Sequence, residues 1–185
     1  MNSICAAKPM DPSKSPDAEL AYGAGQINPI KAADPGLIYD AGFHDYIEML
    51  CSSGYSNDEI QLISGDASSC DAKSSAAVKD LNYPSMAFQV TPDTQYSVNF
   101  SRTVTNVGTA KATYKATIET RGKIGVAVIP ATLSFASMNE KQSFVVTAFA
   151  QEGIFSNEIA SATLIWSDGV HSVRSPIVIH TGYME

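Results

Sequence analysis

A chain of 185 residues with 44% hydrophobic and 17% charged residues has an ordinary globular balance, with room for one domain or one and part of another. At this size folding buries roughly two-thirds of the unfolded surface, enough for a core without many cross-links. The formal net charge of −7 argues against nucleic acid and anionic membrane as partners, since both need a basic face, and no run of 18 apolar residues offers a membrane span.

The first twenty residues, MNSICAAKPMDPSKSPDAEL, are rich in Pro and Ser and have neither apolar periodicity nor the apolar stretch of a signal peptide. They are predicted as loop. In Ala21-Tyr22-Gly23-Ala24-Gly25-Gln26-Ile27-Asn28-Pro29 the glycines suit tight turns, and Asn28-Pro29 reads as an N-cap followed by the first helical residue. A short helix over 29–34 follows, ended by the turn Asp34-Pro35-Gly36. Phe43, Ile47, Leu50 and Cys51 recur at helical spacing and predict a helix over 43–52. A third helix, over 57–64, has Ser56 as N-cap and Glu59 three residues on, with Ile60 and Ile63 on one face.

Beyond about residue 80 the apolar period changes from 3.6 to 2. Tyr96, Val98 and Phe100 alternate with polar partners, as do Tyr114, Ala116 and Ile118, then Phe144, Val146 and Ala148, then Ala162, Leu164 and Trp166. Short runs at 124–129, 132–136 and 173–179 complete the set, and Gly108, Gly122, Pro130, Asn139, Gly153 and Asp168-Gly169 fall between them as turn residues. The expected fold is mostly β: an antiparallel sandwich of seven or eight strands over 81–185, preceded by a small helical segment.

Chemistry is sparse. The chain has no G-x-S-x-G elbow, C-x-x-C, H-E-x-x-H or P-loop, and Gly23-Ala24-Gly25 lacks the third glycine of a dinucleotide fingerprint because Asn28 stands there. His44, His171 and His180 are scattered without metal-ligand spacing and read as surface or structural histidines. No catalytic, cofactor-binding or metal residue is assigned. Asn99-Phe100-Ser101 is an N-glycosylation sequon. Cys51 and Cys70 bracket a short loop and are either a disulfide or free buried thiols, with Cys5 left over.

Several motifs carry a resemblance. Leu81-Asn82-Tyr83-Pro84-Ser85, Arg102-Thr103-Val104-Thr105-Asn106-Val107-Gly108, Trp166-Ser167-Asp168-Gly169-Val170-His171 and Val173-Arg174-Ser175-Pro176-Ile177 resemble the fibronectin-III-like domain of the plant subtilisin-like serine proteases, the cucumisin-like subtilases. Upstream, Tyr22 to Pro29 and Asp34-Pro35-Gly36-Leu37-Ile38-Tyr39-Asp40 resemble the last part of their peptidase S8 domain, and Tyr46 to Cys70 their linking region. The resemblance covers residues 17–181 and implies three parts: loop and peptidase remnant over 1–40, a helical link over 41–80, and the sandwich over 81–185. It also implies that Cys51 pairs with Cys70. The family's catalytic Asp and His, oxyanion-hole Asn and G-T-S-M serine have no counterpart here, so no catalytic residue is carried over. Residues 1–5 do not continue the family pattern, and Ala6 to Met10 echo only the tail of the helix leading away from the serine.

The expectation is therefore a non-catalytic C-terminal piece of a secreted serine endopeptidase, inactive alone, whose sandwich packs on the catalytic domain in the same chain or in trans. The alternatives are a longer active subtilase of which these residues are a part, or a free-standing extracellular binding module. The family implies the apoplast, although the chain itself shows no signal peptide. Cut from the peptidase domain, residues 1–40 are expected to be poorly ordered or to leave the apolar side formed by Ile27, Ile30, Leu37 and Ile38 uncovered. Trp166 and Tyr83 are expected in the core or at its edge, and Pro84 and Pro176 at strand starts or edges. Arg102 is expected to reach water, or failing that a carboxylate.

Overall fold

A computed structural model of the chain describes residues 18–70, 77–150 and 152–182, so residues 1–17 of the loop predicted over the first twenty residues, with Cys5, lie outside the described residues, while residues 18–20 of it are helical instead. Nine strands follow in order: β1 Leu37–Tyr39, β2 Met86–Val90, β3 Tyr96–Asn106, β4 Thr113–Arg121, β5 Gly125–Ile129, β6 Thr132–Ser134, β7 Lys141–Ala150, β8 Ile159–Ser167 and β9 Ser172–Thr181. They form two sheets, one in the order β1-β3-β7-β5 and the other β2-β9-β8-β4-β6. Neighbours run antiparallel except β2 and β9, which pair in parallel.

Alternation along the strands sends every second residue between the sheets. Val98, Phe100 and Val104 of β3 and Phe144, Val146 and Ala148 of β7 meet Tyr114 of β4 and Ala162, Leu164 and Trp166 of β8. Val173, Ile177 and Ile179 of β9 complete this layer. Trp166 is fully buried and packs edge-on against Phe144 with ring centroids 5.1 Å apart. Burying each such side chain stabilises the fold by about 1.5–3 kcal/mol. Tyr83, by contrast, is a partly exposed edge residue.

The helices form largely as their caps dictate. α1 spans Ala18–Tyr22 and α2 Pro29–Ala32, with the Asn28 side chain accepting from the Lys31 N–H at 3.2 Å. Helix α3 spans Phe43–Ser52 and α4 Asn57–Ser64, where Ser56 and Glu59 cap each other reciprocally. Cys51 and Cys70 are joined as a disulfide, with Cα atoms 5.5 Å apart, closing the α3–α4 hairpin.

Strand β1 overturns one expectation. Leu37 and Tyr39 are fully buried and Ile38 nearly so, whereas Ile27 and Ile30 stay 76% and 88% exposed. The apolar side expected to lack a partner is thus divided. The physical reason is the edge of β3: its last residues would present unpaired backbone groups, and the Asp34-Pro35-Gly36 turn lays Leu37–Tyr39 antiparallel along them. Leu37 and Tyr39 then enter the core together, and the Tyr39 hydroxyl meets Ser175 Oγ of the opposite sheet at 2.6 Å. Burial first, against the Ser175 hydrogen bond, pushes the Tyr39 phenol up to about 12.

Side chains continue the edge where β1 stops. Asn82 takes the Thr103 N–H on Oδ1 and donates from Nδ2 to the Thr103 carbonyl, both at 2.8 Å. Asp80 Oδ1 accepts the Ser101 N–H at 2.9 Å, and Lys79 Nζ donates to the Asn99 carbonyl at 2.6 Å. Three residues of the 79–82 segment thereby do the work of a strand.

Arg102 also departs from expectation. It neither reaches water nor pairs with a carboxylate: it is buried, and donates to the carbonyls of Tyr83 (2.8 Å), Ser101 (2.8 Å) and Ser85 (3.3 Å). Its even position on β3 faces inward, toward the bend before β2 that presents the Tyr83 and Ser85 carbonyls to it. Pro84 precedes β2 as a strand-start proline should, but Pro176 lies inside β9, a central strand. It stands one residue before the β2 ladder begins at Ile177.

Candidate docking interface

Residues 18–40 hold the sandwich at three places. The first is the outer face of the five-stranded sheet, where α1 lies on β8 and β9. There Arg174 of β9 donates from Nη1 to the Ala24 carbonyl and from Nη2 to Thr163 Oγ1, each at 3.1 Å.

The second is the end of the sandwich carrying the β8–β9 hairpin. The Gly36 carbonyl accepts the N–H groups of Val107 (2.9 Å) and Gly108 (3.0 Å). Gly36 has φ +76°, and a Cβ there would come within 2.7 Å of His171 Cβ and closer still to the Tyr114 hydroxyl. Only glycine fits. Asn106 stiffens the receiving loop, donating to the carbonyls of Thr109 (2.9 Å) and Ser137 (3.1 Å) while its Oδ1 accepts the Gly108 N–H at 3.2 Å. The third is the β1–β3 ladder with Tyr39 in the core.

The hairpin tip is ordered by Asp168. Its Oδ1 accepts the N–H groups of Val170 and His171 at 2.9 and 2.6 Å, and Oδ2 lies 2.8 Å from His171 Nδ1. Burial raises the Asp168 carboxyl, but these hydrogen bonds outweigh it and hold it at about 2. The Gly169 φ of +91° completes the predicted turn.

Ile30, Pro35 and Val170 line a cleft of about 230 Å³ at this end. Val170 is 81% exposed, so with Ile30 it leaves an apolar surface beside the join between residues 18–36 and the sandwich. The sequon residue Asn99 points the other way. It lies exposed on the outer face of the four-stranded sheet, where its Oδ1 accepts the Thr147 hydroxyl at 2.9 Å. Of the histidines, His44 is exposed on α3 beside Glu48, His180 is half-buried in β9, and His171 alone sits inside a polar cluster. Asp168 and His171 are near enough in sequence to be paired by inspection; Asp34 and Gly36, their distant neighbours, are not.

Two packed sheets with Arg102, Asn106 and the Asp168 hairpin locking their turns define a fibronectin-type sandwich. The chain belongs to the fibronectin type-III domain family, whose model matches residues 80–179. Its relatives are subtilisin-like proteases of Arabidopsis thaliana. SBT4.6 is 49% identical over 178 residues, covering 94% of this chain and 24% of that protein, and SBT4.11 is 48% identical over 167 residues, covering 89% and 22%. SBT4.3 is 43% identical over 176 residues, covering 95% and 24%. The chain thus spans about a quarter of the length of the curated relatives it matches. Among solved structures, a FixG-related protein from Vibrio parahaemolyticus aligns over 51% of this chain and 100% of its own, at 11% identity and a TM-score of 0.35.

Proposed function

We propose that this chain is the non-catalytic C-terminal portion of a secreted subtilisin-like serine endopeptidase, an accessory sandwich that packs on the peptidase domain and supports it. The observation that carries this reading is the construction of residues 18–40 into the sandwich. They precede the family match, yet they supply a core strand, a glycine turn and a carbonyl for Arg174. A sandwich fastened this way to the chain before it transmits its stability to that chain. The apolar surface of Ile30 and Val170, next to the fastening, is the contact for the catalytic domain.

Under this reading the catalytic Asp, His and Ser belong to the peptidase domain, and proteolysis is its reaction. Secretion to the apoplast brings a glycan to Asn99. The glycan stands on the outer face of the four-stranded sheet while residues 18–25 lie on that of the five-stranded sheet, so it does not obstruct docking.

The test is binding in trans. The 185-residue chain is mixed with the peptidase domain of a relative such as SBT4.6 lacking its C-terminal quarter, and affinity is measured by calorimetry. Binding is expected to weaken at least 10-fold in I30D/V170D, since each substitution replaces apolar burial by a desolvated carboxylate. Equal affinity of the variant would exclude this surface. A chain that ignores the peptidase domain would instead favour a free-standing module.

A further inference from the structure

His171 stands between carboxylates from two distant parts of the chain. Asp168 Oδ2 is 2.8 Å from Nδ1, and Asp34 Oδ2 is 3.3 Å from Nε2. The imidazole is 10% exposed, Asp168 likewise, and Asp34 72%. The groups facing the ring are Asp168 from the hairpin, Asp34 from the turn between α2 and β1, and the Tyr114 hydroxyl of β4, 3.5 Å from Nδ1; Lys31 lines the same cleft.

A neutral imidazole has one N–H to give. Asp168, held by two backbone N–H groups, fixes that proton on Nδ1. The lone pair of Nε2 then faces the Asp34 carboxylate, and Nε2 is buried with no hydrogen-bond partner among the described residues. Only the imidazolium attracts both carboxylates at once.

We propose that His171 is a pH-operated fastener between the Asp34–Gly36 turn and the β8–β9 hairpin: charged, it holds the turn to the sandwich, and neutral, it releases it. The Asp168 hydrogen bond first, against the cost of burial and with help from Asp34, raises the imidazole above its ordinary value of 6.5. A histidine raised in the folded state adds stability that is complete below about pH 6.5 and lost as pH climbs through the higher folded midpoint. The segment is therefore held more firmly in a mildly acidic medium than in a neutral one. Because Asp34 is mostly exposed, water and salt screen its share, which is smaller than that of Asp168.

The turn reports its own attachment through the Val107 amide, which Gly36 holds, whereas the Gly108 amide is shared with Asn106 Oδ1. In the full chain, NMR gives the His171 midpoint and the protection of the Val107 amide corrected for intrinsic exchange. The expected result is a midpoint above 6.5 that falls in D34N and is kept in D34E. Protection should drop several-fold as pH rises through that midpoint in the wild type and stay flat in D34N and in H171Q. An unchanged midpoint in D34N, or protection independent of pH in the wild type, overturns the proposal.

Discussion

A chain begun at residue 41 is expected to unfold far more easily than the full chain, although it keeps all of the family-matched segment 80–179. It loses Leu37 and Tyr39, both fully buried. Truncating such side chains costs about 3 kcal/mol each, and domains of this size are stable by only about 5–15 kcal/mol in total. The loss also leaves Ser175 without its partner and opens the edge of β3 at 104–106. Urea unfolding followed by circular dichroism measures the effect, and L37A/Y39A in the full chain isolates the strand from the rest of the segment. A midpoint unmoved by both changes would mean that β1 decorates the sandwich without completing it.

Arg102→Met should cost about 2–4 kcal/mol, although methionine fills much of the same space. The substitution strands the carbonyls of Tyr83, Ser85 and Ser101, of which those of Tyr83 and Ser85 shape the approach to β2. Arg102→Lys is not expected to rescue: a lysine delivers its donors from one point, whereas these three carbonyls are served by the separate nitrogens of a planar guanidinium. Full stability of the lysine variant in denaturant would show that the buried charge matters and the fork does not.

The sandwich was legible because its strands obey a strict period of two, and the residues that alternate at 96–100, 114–118, 144–148 and 162–166 line its interior. Helices α3 and α4 were legible because their signals are local, in Ser56 with Glu59 and in the spacing of Ile47 and Leu50. The role of Leu37–Tyr39 was not. Three apolar residues after a turn carry no period, and their partner is an edge that exists only once β3 and β7 have paired. The same holds for Asn82, whose amide imitates a strand, and for Arg102, whose carbonyl partners depend on a bend in the backbone. Asp34 and His171 are joined only by the fold. Motifs that looked like family signatures thus prove to be the joints of the structure, with Asn106 and Gly108 as clear cases.

These joints bear on the functional reading. An accessory domain connected by a free linker could be exchanged without disturbing its neighbour. Here the preceding segment contributes to the core of the sandwich, so damage on either side should be felt on the other.

Native-state hydrogen exchange of the 185-residue chain tests the incorporation of β1 most directly. The Ile38 amide, which faces Thr105 in the β1–β3 ladder, is predicted to exchange only with the global unfolding that releases core amides such as Val146 and Leu164. Exchange of the Ile38 amide at the rate of an unstructured peptide, with the core of β7 and β8 still protected, would contradict it.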